Sequence, residues 1–410
     1  MKVNQAFRYE LDPTVRQQRL LARAAGTARY AFNGGLALCK RLLDAGKPVP
    51  HAAELHRQWN AEKPQRSWVY GVSKCCGQEA LRDLDRAFAN FWRGRKEGRR
   101  VGFPRFRRKH GRRDSFRLTG SIKVHPKLVT LPRVGCVRTK ETTEKFRGRM
   151  LSATVSREAD RWYVSLAVEV ERDDPQPVAG PVVGIDLGLK CFAVLSDGTQ
   201  MQSPKPLTKA LRRLRHRQRL HSRKQRGSRN RRKSAAGLAR VHRRIRCQRA
   251  DLLHQLSTTL AKTKSVIVVQ DLSVRGMVGN RHLGRSIADA AWSEFRRMLA
   301  YKTQWYGSRL VVAPRFYPST KTCSACGHVK AEMPLGQRVF RCEACGAEID
   351  RDLNASRNLA LLVAGSSPET INACGADGSG QENGLVKLAA TKQEPSSRKP
   401  AALADGNKRL

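Results

Sequence analysis

The chain has 410 residues, 40% of them hydrophobic, with 80 Lys and Arg against 34 Asp and Glu, for a formal net charge of +46. That length allows two to four structural units with a real core, and an excess of one sign this large calls for a polyanionic partner, because an isolated globule would repel itself. No stretch approaches the ~18 apolar residues of a membrane span and no charged-then-apolar leader opens the chain, so membrane attachment does not account for the charge.

Val3 to Leu11 reads as a strand. Asp12-Pro13 then supplies an N-cap and a proline at the first helical position, and Leu20, Leu21, Ala24, Ala28 and Phe32 follow at helical spacing. A second helix starts near Cys75, with Leu81, Leu84, Phe88 and Phe91 on one stripe. Both stripes read as core packing. From Arg93 to Arg117 the chain turns basic with interleaved aromatics, and Arg105, Phe106, Arg107, Arg108, Lys109 and Arg117 are the candidate contacts for a nucleic acid. Arginine beside exposed rings suits phosphate contacts combined with base stacking. The plainer alternative is a solvated basic loop that its phenylalanines pin to the core.

Residues near 119–172 are strand-rich, Asp173-Asp174-Pro175 through Pro181 forms a linker, and a second compact domain begins at Val182. Between Asp197 and Asp251 there is no acidic residue at all. Leu211 and Leu214, then Leu252, Leu253, Leu256 and Leu260, mark two helices there, with the segment from Gly227 to Ser234 as their hinge. Arg212, Arg213, Arg219, Arg223, Lys224, Arg229, Arg231 and Arg232 would lay this hairpin along a phosphate backbone. Beyond roughly Ser366, Gly, Ser, Ala, Lys and Glu replace the apolar pattern, which predicts a disordered tail over 366–410.

Of the 11 cysteines, Cys323, Cys326, Cys342 and Cys345 form a CxxC-x15-CxxC pattern. Four thiolates at this spacing bind Zn²⁺ tetrahedrally with no position left open, so the expected role is structural. The remaining cysteines have no regular spacing, and a reducing cytoplasm fits them better than a disulfide framework.

Three apolar strands end in or near polar residues: Val182 to Gly188 carries Asp186, Ser265 to Asp271 ends in Gln270-Asp271, and Arg309 to Ala313 precedes the cysteine module. Asp352 then opens a helix. Carboxylates converging from separate strands and a helix are what a two-metal phosphodiester site requires, since each Mg²⁺ wants oxygen ligands.

The ordered strings GIDLG, VVQDLSVRGM, AWSEFRRMLAYKTQWYG, YPSTKTCSACG and CEACGAEIDRDLNASRNL resemble the TnpB family, the RNA-guided nucleases of bacterial insertion sequences related to type V CRISPR effectors. RYELDPTVRQ, RYAFN and GFPRFRRK match as well, so the resemblance covers roughly residues 1–360. It implies an α/β chain whose RNase H-like (RuvC) nuclease domain, over 181–318 and 350–365, is interrupted by a zinc ribbon at 319–349. A β-barrel-like wedge domain (1–10 and 119–178) and a helical recognition domain (11–118) would precede it. The implied partners are a guide RNA from the element's own end and a double-stranded DNA target beside a short flanking motif, with Mg²⁺ catalytic, Zn²⁺ structural, no membrane and no required protein oligomer. Such a protein would work in the bacterial cytoplasm, at the nucleoid, in DNA recombination and transposition.

By matching motifs the first catalytic acid is Asp186 and the third is Asp352, while Asp350 is a structural neighbour. The family's second acid is replaced here by Gln270, which brings no charge. Glu294 is the expected replacement, because its helix follows the strand and starts near the same edge of the sheet, so Asp186, Asp352 and Glu294 would hold the magnesium ions. Asp271 is not expected to substitute, since adjacent strand residues face opposite sides. The alternative is a nuclease-inactive, RNA-guided DNA-binding protein of repressor type.

Overall fold

The computed structural model describes residues 1–109, 114–334 and 336–364. The tail expected over 366–410 lies outside these residues. In chain order the elements are β1 (Lys2–Asp12), α1 (Val15–Asp44), α2 (Ala52–Glu62), α3 (Cys75–Lys96), β2 (Asp114–Leu118), β3 (Lys123–His125), β4 (Leu128–Leu131), β5 (Gly135–Thr139), β6 (Arg149–Glu158) and β7 (Arg161–Glu171). There follow β8 (Val183–Leu187), β9 (Cys191–Leu195), β10 (Gln200–Gln202), α4 (Pro206–Ser222), α5 (Arg229–Thr263), β11 (Val266–Gln270), α6 (Val274–Val278) and α7 (Gly284–Ala290). The last are α8 (Trp292–Tyr306), β12 (Arg309–Ala313), β13 (Val339–Arg341), β14 (Glu348–Asp350) and α9 (Arg351–Ala364).

The first half is an antiparallel seven-stranded sheet ordered β2-β6-β7-β1-β5-β4-β3. Period-2 alternation builds it, with Trp162, Val164, Leu166 and Val168 of β7 buried in turn, the first three in one core with residues of α1–α3. Helix α1 begins later than Asp12-Pro13 suggests. Strand β1 runs on through Asp12, and Thr14 caps the helix: its hydroxyl accepts from the Gln17 amide at 3.3 Å while Gln17 Oε1 accepts from the Thr14 amide at 3.0 Å. A reciprocal capping box satisfies two free amides where the Asp-Pro pair satisfies at most one. The sheet also reaches back to Asp114, into a stretch that the sequence assigns to the helical region.

The second half holds a five-stranded sheet ordered β10-β9-β8-β11-β12, in which β8, β9 and β10 run antiparallel and β8, β11 and β12 parallel. Its two faces are covered by different helices. Val183, Ile185, Ile267 and Val269 pack on Leu253, Leu256 and Leu260 of α5 and on Phe295, Met298 and Leu299 of α8. The alternate residues face α9. A Cβ on Gly184 would collide with the Ser356 carbonyl oxygen and the Ala360 amide, so glycine alone lets α9 lie directly on β8.

Helices α4 and α5 form the basic hairpin. Ser228 caps α5 by accepting from the Arg231 amide at 3.1 Å, so most of the hinge read from the sequence is helix, and Gly227, at φ +86°, closes the short turn. Arginine and lysine are good helix formers once a cap is in place, which is why the hinge shrinks.

Candidate active site and metal centre

Asp186 sits near the C-terminal end of β8, and the parallel register of β11, continued by one residue from Val269 opposite Ile185, sets Gln270 level with it. Asp186 lies two residues beyond Gly184 and so shares the α9 face. Asp352 enters from the first turn of α9. Asp350 is the N-cap of that helix: its Oδ1 accepts from the amides of Asp352 at 3.0 Å and Leu353 at 3.1 Å. Asp350 thus serves the helix backbone, the structural part expected of it.

Burial and the neighbouring Asp352 carboxylate push the Asp186 carboxyl up to about 7, with Asp350 adding to the shift and Arg351 opposing it. Arg351 Nε and Nη2 donate to Asp352 Oδ1 at 3.2 and 3.1 Å. A buried carboxyl beside a second carboxylate is the kind of oxygen donor pair a hard divalent cation takes.

Gln270 makes a different use of its end group. Its Nε2 donates to the carbonyls of Arg315 at 3.1 Å and Tyr317 at 3.0 Å. A carboxylate there would face both carbonyls with nothing to donate. Asp271 points elsewhere, as strand alternation predicts: Arg315 pairs with it at 2.7 Å, and Arg296 donates to it as well. Those two guanidinium groups hold its carboxyl below the usual range.

Glu294 is where the structure departs from the sequence expectation. Helix α8 does begin near the expected edge, but it packs on the Ile185–Val269 face, opposite α9. Trp292, Ser293, Phe295 and Arg296 line the cleft beside Leu187 and Gln270, while Glu294 bonds Arg297 Nε at 3.0 Å. Its carboxyl is held low chiefly by Arg297, with His254 of α5 adding to the effect. Asp186 and Asp352 are brought together; Glu294 is not brought to them.

The four cysteines converge. All four Sγ atoms lie within 4.8 Å of one another, with Cys323 to Cys345 at 3.8 Å and Cys326 to Cys342 at 3.5 Å. Tetrahedral Zn²⁺ with bonds near 2.3 Å requires sulfur separations of about 3.8 Å, so the set fits the ion. Each CxxC is closed by a left-handed glycine, Gly327 at φ +77° and Gly346 at φ +72°, whose amide donates to the carbonyl of the first cysteine at 2.9 and 3.1 Å. Amides of Cys345 and Ala344 lower the Cys342 thiol while the neighbouring sulfurs raise Cys326, as in a cluster of thiols sharing protons that a metal would displace.

The basic candidates divide. In the loop before β2, Phe103 packs edge-on against Phe88 and Phe91 at 5.4 and 5.3 Å, which pins the segment and leaves Arg105, Phe106, Arg108 and Lys109 exposed. Arg107 turns inward, its guanidinium 3.8 Å from the Phe32 ring centroid and 3.4 Å from Asp83, and Arg117 lies 3.7 Å from both Glu79 and Asp83. In the hairpin, Arg212, Arg213, Arg219, Arg223, Lys224, Arg229 and Arg232 are exposed. Arg231 is committed to the carbonyls of His221 at 3.2 Å and Lys224 at 2.6 Å. A groove of about 770 Å³ between the two helices adds Lys209, Arg217, Arg240, Arg243 and Arg244, residues that the charge run contains but does not single out. Among the described residues no helix is long and apolar enough to cross a membrane.

Comparison with known proteins gives three family matches. A model described as "Probable transposase" matches residues 165–281, a Cas12f1-like TNB domain matches 292–359, and a helix-turn-helix domain matches 1–48. Here residues 1–48 form one strand and one long helix. The chain is 37% identical over 411 residues to a Streptomyces pristinaespiralis protein named "Putative RNA-guided DNA endonuclease", covering 96% of this chain and 97% of the relative. It is 34% identical to the Escherichia coli K12 protein of the same description named InsQ, over 92% of this chain and 95% of that one. A "CRISPR-associated endodeoxyribonuclease Cas12f1" of Sulfoacidibacillus thermotolerans is 23% identical over 49% of this chain and 50% of its own length.

Proposed function

Because this chain belongs to the TnpB family, we propose that it is an RNA-guided DNA endonuclease of an IS605-type transposon, cutting double-stranded DNA at a RuvC-like centre built on Asp186 and Asp352. The observation that carries this reading is the Asp186–Asp352 pair, in which burial and the neighbouring Asp352 carboxylate raise the Asp186 carboxyl to about 7 at the C-terminal edge of the sheet. The strand order 3-2-1-4-5, with an antiparallel hairpin leading into parallel strands, supports an RNase H-like fold for this half. Divalent cations held there would activate the attacking water and stabilise the leaving oxygen.

The residues of the chain do the rest. Asp350 fixes the first turn of α9, Gly184 lets that helix reach the strand, and Arg351 balances charge beside Asp352. The sheet β1–β7 with helices α1–α3 takes the wedge and recognition roles. The α4–α5 hairpin and the exposed Arg105, Phe106, Arg108 and Lys109 hold the guide RNA and its heteroduplex, in which base pairing reads the sequence and the protein reads backbone shape. The Cys₄ module is a structural zinc ribbon.

A second reading is favoured by one observation: position 270 offers an amide committed to backbone carbonyls, and Glu294 lies on the opposite face. A centre with two acids binds Mg²⁺ more weakly than one with three, and a guided binding protein would result if it bound none. The test is plasmid cleavage by the protein loaded with RNA from the element's end, in Mg²⁺. Guide-dependent cuts beside a flanking motif support the endonuclease; guide-dependent binding without cuts supports the second reading.

A further inference from the structure

Helix α9 carries Asp352 in its first turn and two buried asparagines one turn apart, Asn354 and Asn358, exposed by 0% and 2%. Buried amides are costly unless every polar atom is satisfied, so what they bond is informative. Asn354 grips the backbone on both sides of a zinc-binding cysteine: its Nδ2 donates to the Thr322 carbonyl at 2.7 Å, and its Oδ1 accepts from the Ser324 amide at 2.9 Å, with Cys323 between them. Asn358 Nδ2 donates to the carbonyls of Ser319 at 2.8 Å and Thr322 at 2.6 Å. Tyr317 closes the next link, its hydroxyl donating to the Asn358 carbonyl at 3.2 Å. Gln270 Nε2 in turn donates to the Tyr317 carbonyl at 3.0 Å and the Arg315 carbonyl at 3.1 Å.

These bonds run without a gap from the end of β11, through the connector 315–324, into α9 and around the first cysteine knuckle. We infer that Gln270, Tyr317, Asn354 and Asn358 are positioning residues, forming one brace that seats Asp352 against the sheet and takes its far anchor from the metal-filled Cys₄ module. The inference rests on the reading of Asp186 and Asp352 as divalent-cation ligands. It also gives position 270 a role: the glutamine is the strand-side anchor of the brace, which a glutamate could not be, because both partners there are acceptors. A short helix end is mobile unless tied, and metal ligands tolerate little misplacement, so outer-shell bonds of this kind alter metal affinity about 10- to 100-fold.

The test uses the full-length protein without nucleic acid, titrated with Mn²⁺ by electron paramagnetic resonance, beside zinc release to a chromogenic chelator. Asn354→Ala is expected to weaken Mn²⁺ binding about tenfold and to speed zinc release. Stripping zinc from the wild type should weaken Mn²⁺ binding by a similar factor, and stripping it from Asn354→Ala should add little, because one path carries both effects. Tyr317→Phe removes a single hydroxyl, keeps the fold testable, and should weaken Mn²⁺ binding about threefold. Gln270→Ala removes the strand-side donor without adding a carboxylate, and should weaken it too. The brace is overturned if these variants fold and bind Mn²⁺ as the wild type does, or if zinc stripping and Asn354→Ala act additively. Wild-type Mn²⁺ binding that Asp186→Ala and Asp352→Ala leave unchanged would instead overturn the underlying site, and the brace with it.

Discussion

The cysteine cluster and the Asp186–Asp352 pair are built by opposite strategies. The cysteine module is local: each knuckle is five residues whose ligand spacing, left-handed glycine and amide-to-carbonyl bond all follow from the order Cys-x-x-Cys-Gly. The carboxylate site is assembled from distant pieces, a strand end at Asp186 and a helix start at Asp352, and it exists only because Gly184 lets the helix lie against the strand. A local site tolerates errors elsewhere in the fold, whereas an assembled one depends on sheet register and on which face each helix covers.

That contrast can be broken most forcefully at Gly184. Gly184→Ala puts a methyl group against the backbone of α9, which has no rotamer to escape through, so a loss of about 1–3 kcal/mol is expected. Urea unfolding at unchanged m-value measures it. Cleavage should fall with it, because Asp352 moves when α9 does.

The second prediction concerns pH. Asp186 titrates at about 7 in the fold, well above the ~3.9 of an unfolded aspartate, so the folded state holds the proton more tightly. The stability this proton supplies is fully present below about 3.9 and is lost as pH rises through about 7 in metal-free protein. Divalent cations compete with that proton, so Mn²⁺ affinity should climb by up to about tenfold per pH unit below 7 and then level off. Calorimetric melting across pH 5 to 8 with and without Mn²⁺ checks both signs, and Asp186→Asn should flatten the metal-free slope.

The third effect is smallest and sharpens the local half of the comparison. Gly327→Ala and Gly346→Ala each force an alanine to a left-handed φ, at a cost of about 1 kcal/mol. Zinc-release rates should rise alike for the two, since the knuckles are geometric copies, while the Asp186–Asp352 pair responds only through α9.

The same contrast explains what the sequence disclosed. The convergence of the four cysteines, the strand ending at Gln270 and the inward-facing stripes of α1 and α3 were all readable, because each depends on residue type at fixed short spacing. Glu294 was expected beside the two aspartates; its helix starts near that edge of the sheet but packs on the face opposite α9, which no spacing along the chain reports. Arg107, Arg117 and Arg231 count as basic residues in the sequence, yet Asp83, Glu79 and backbone carbonyls claim them. The asparagines of DRDLNASRN stand in plain view at helical spacing, but only the fold reveals that they hold the cysteine module.

The central claim is that the divalent-cation site consists of Asp186 and Asp352 on the α9 face and excludes Glu294. Single-turnover cleavage of a guide-matched duplex in Mg²⁺ by the RNA-loaded wild type, Asp352→Ala and Glu294→Ala tests it most directly. The account predicts cutting by the wild type, a loss of more than about a thousandfold in Asp352→Ala, and a rate within about threefold of wild type in Glu294→Ala, whose exposed ion pair contributes little. A Glu294→Ala protein as inactive as Asp352→Ala, still folded and still binding its target, would contradict it.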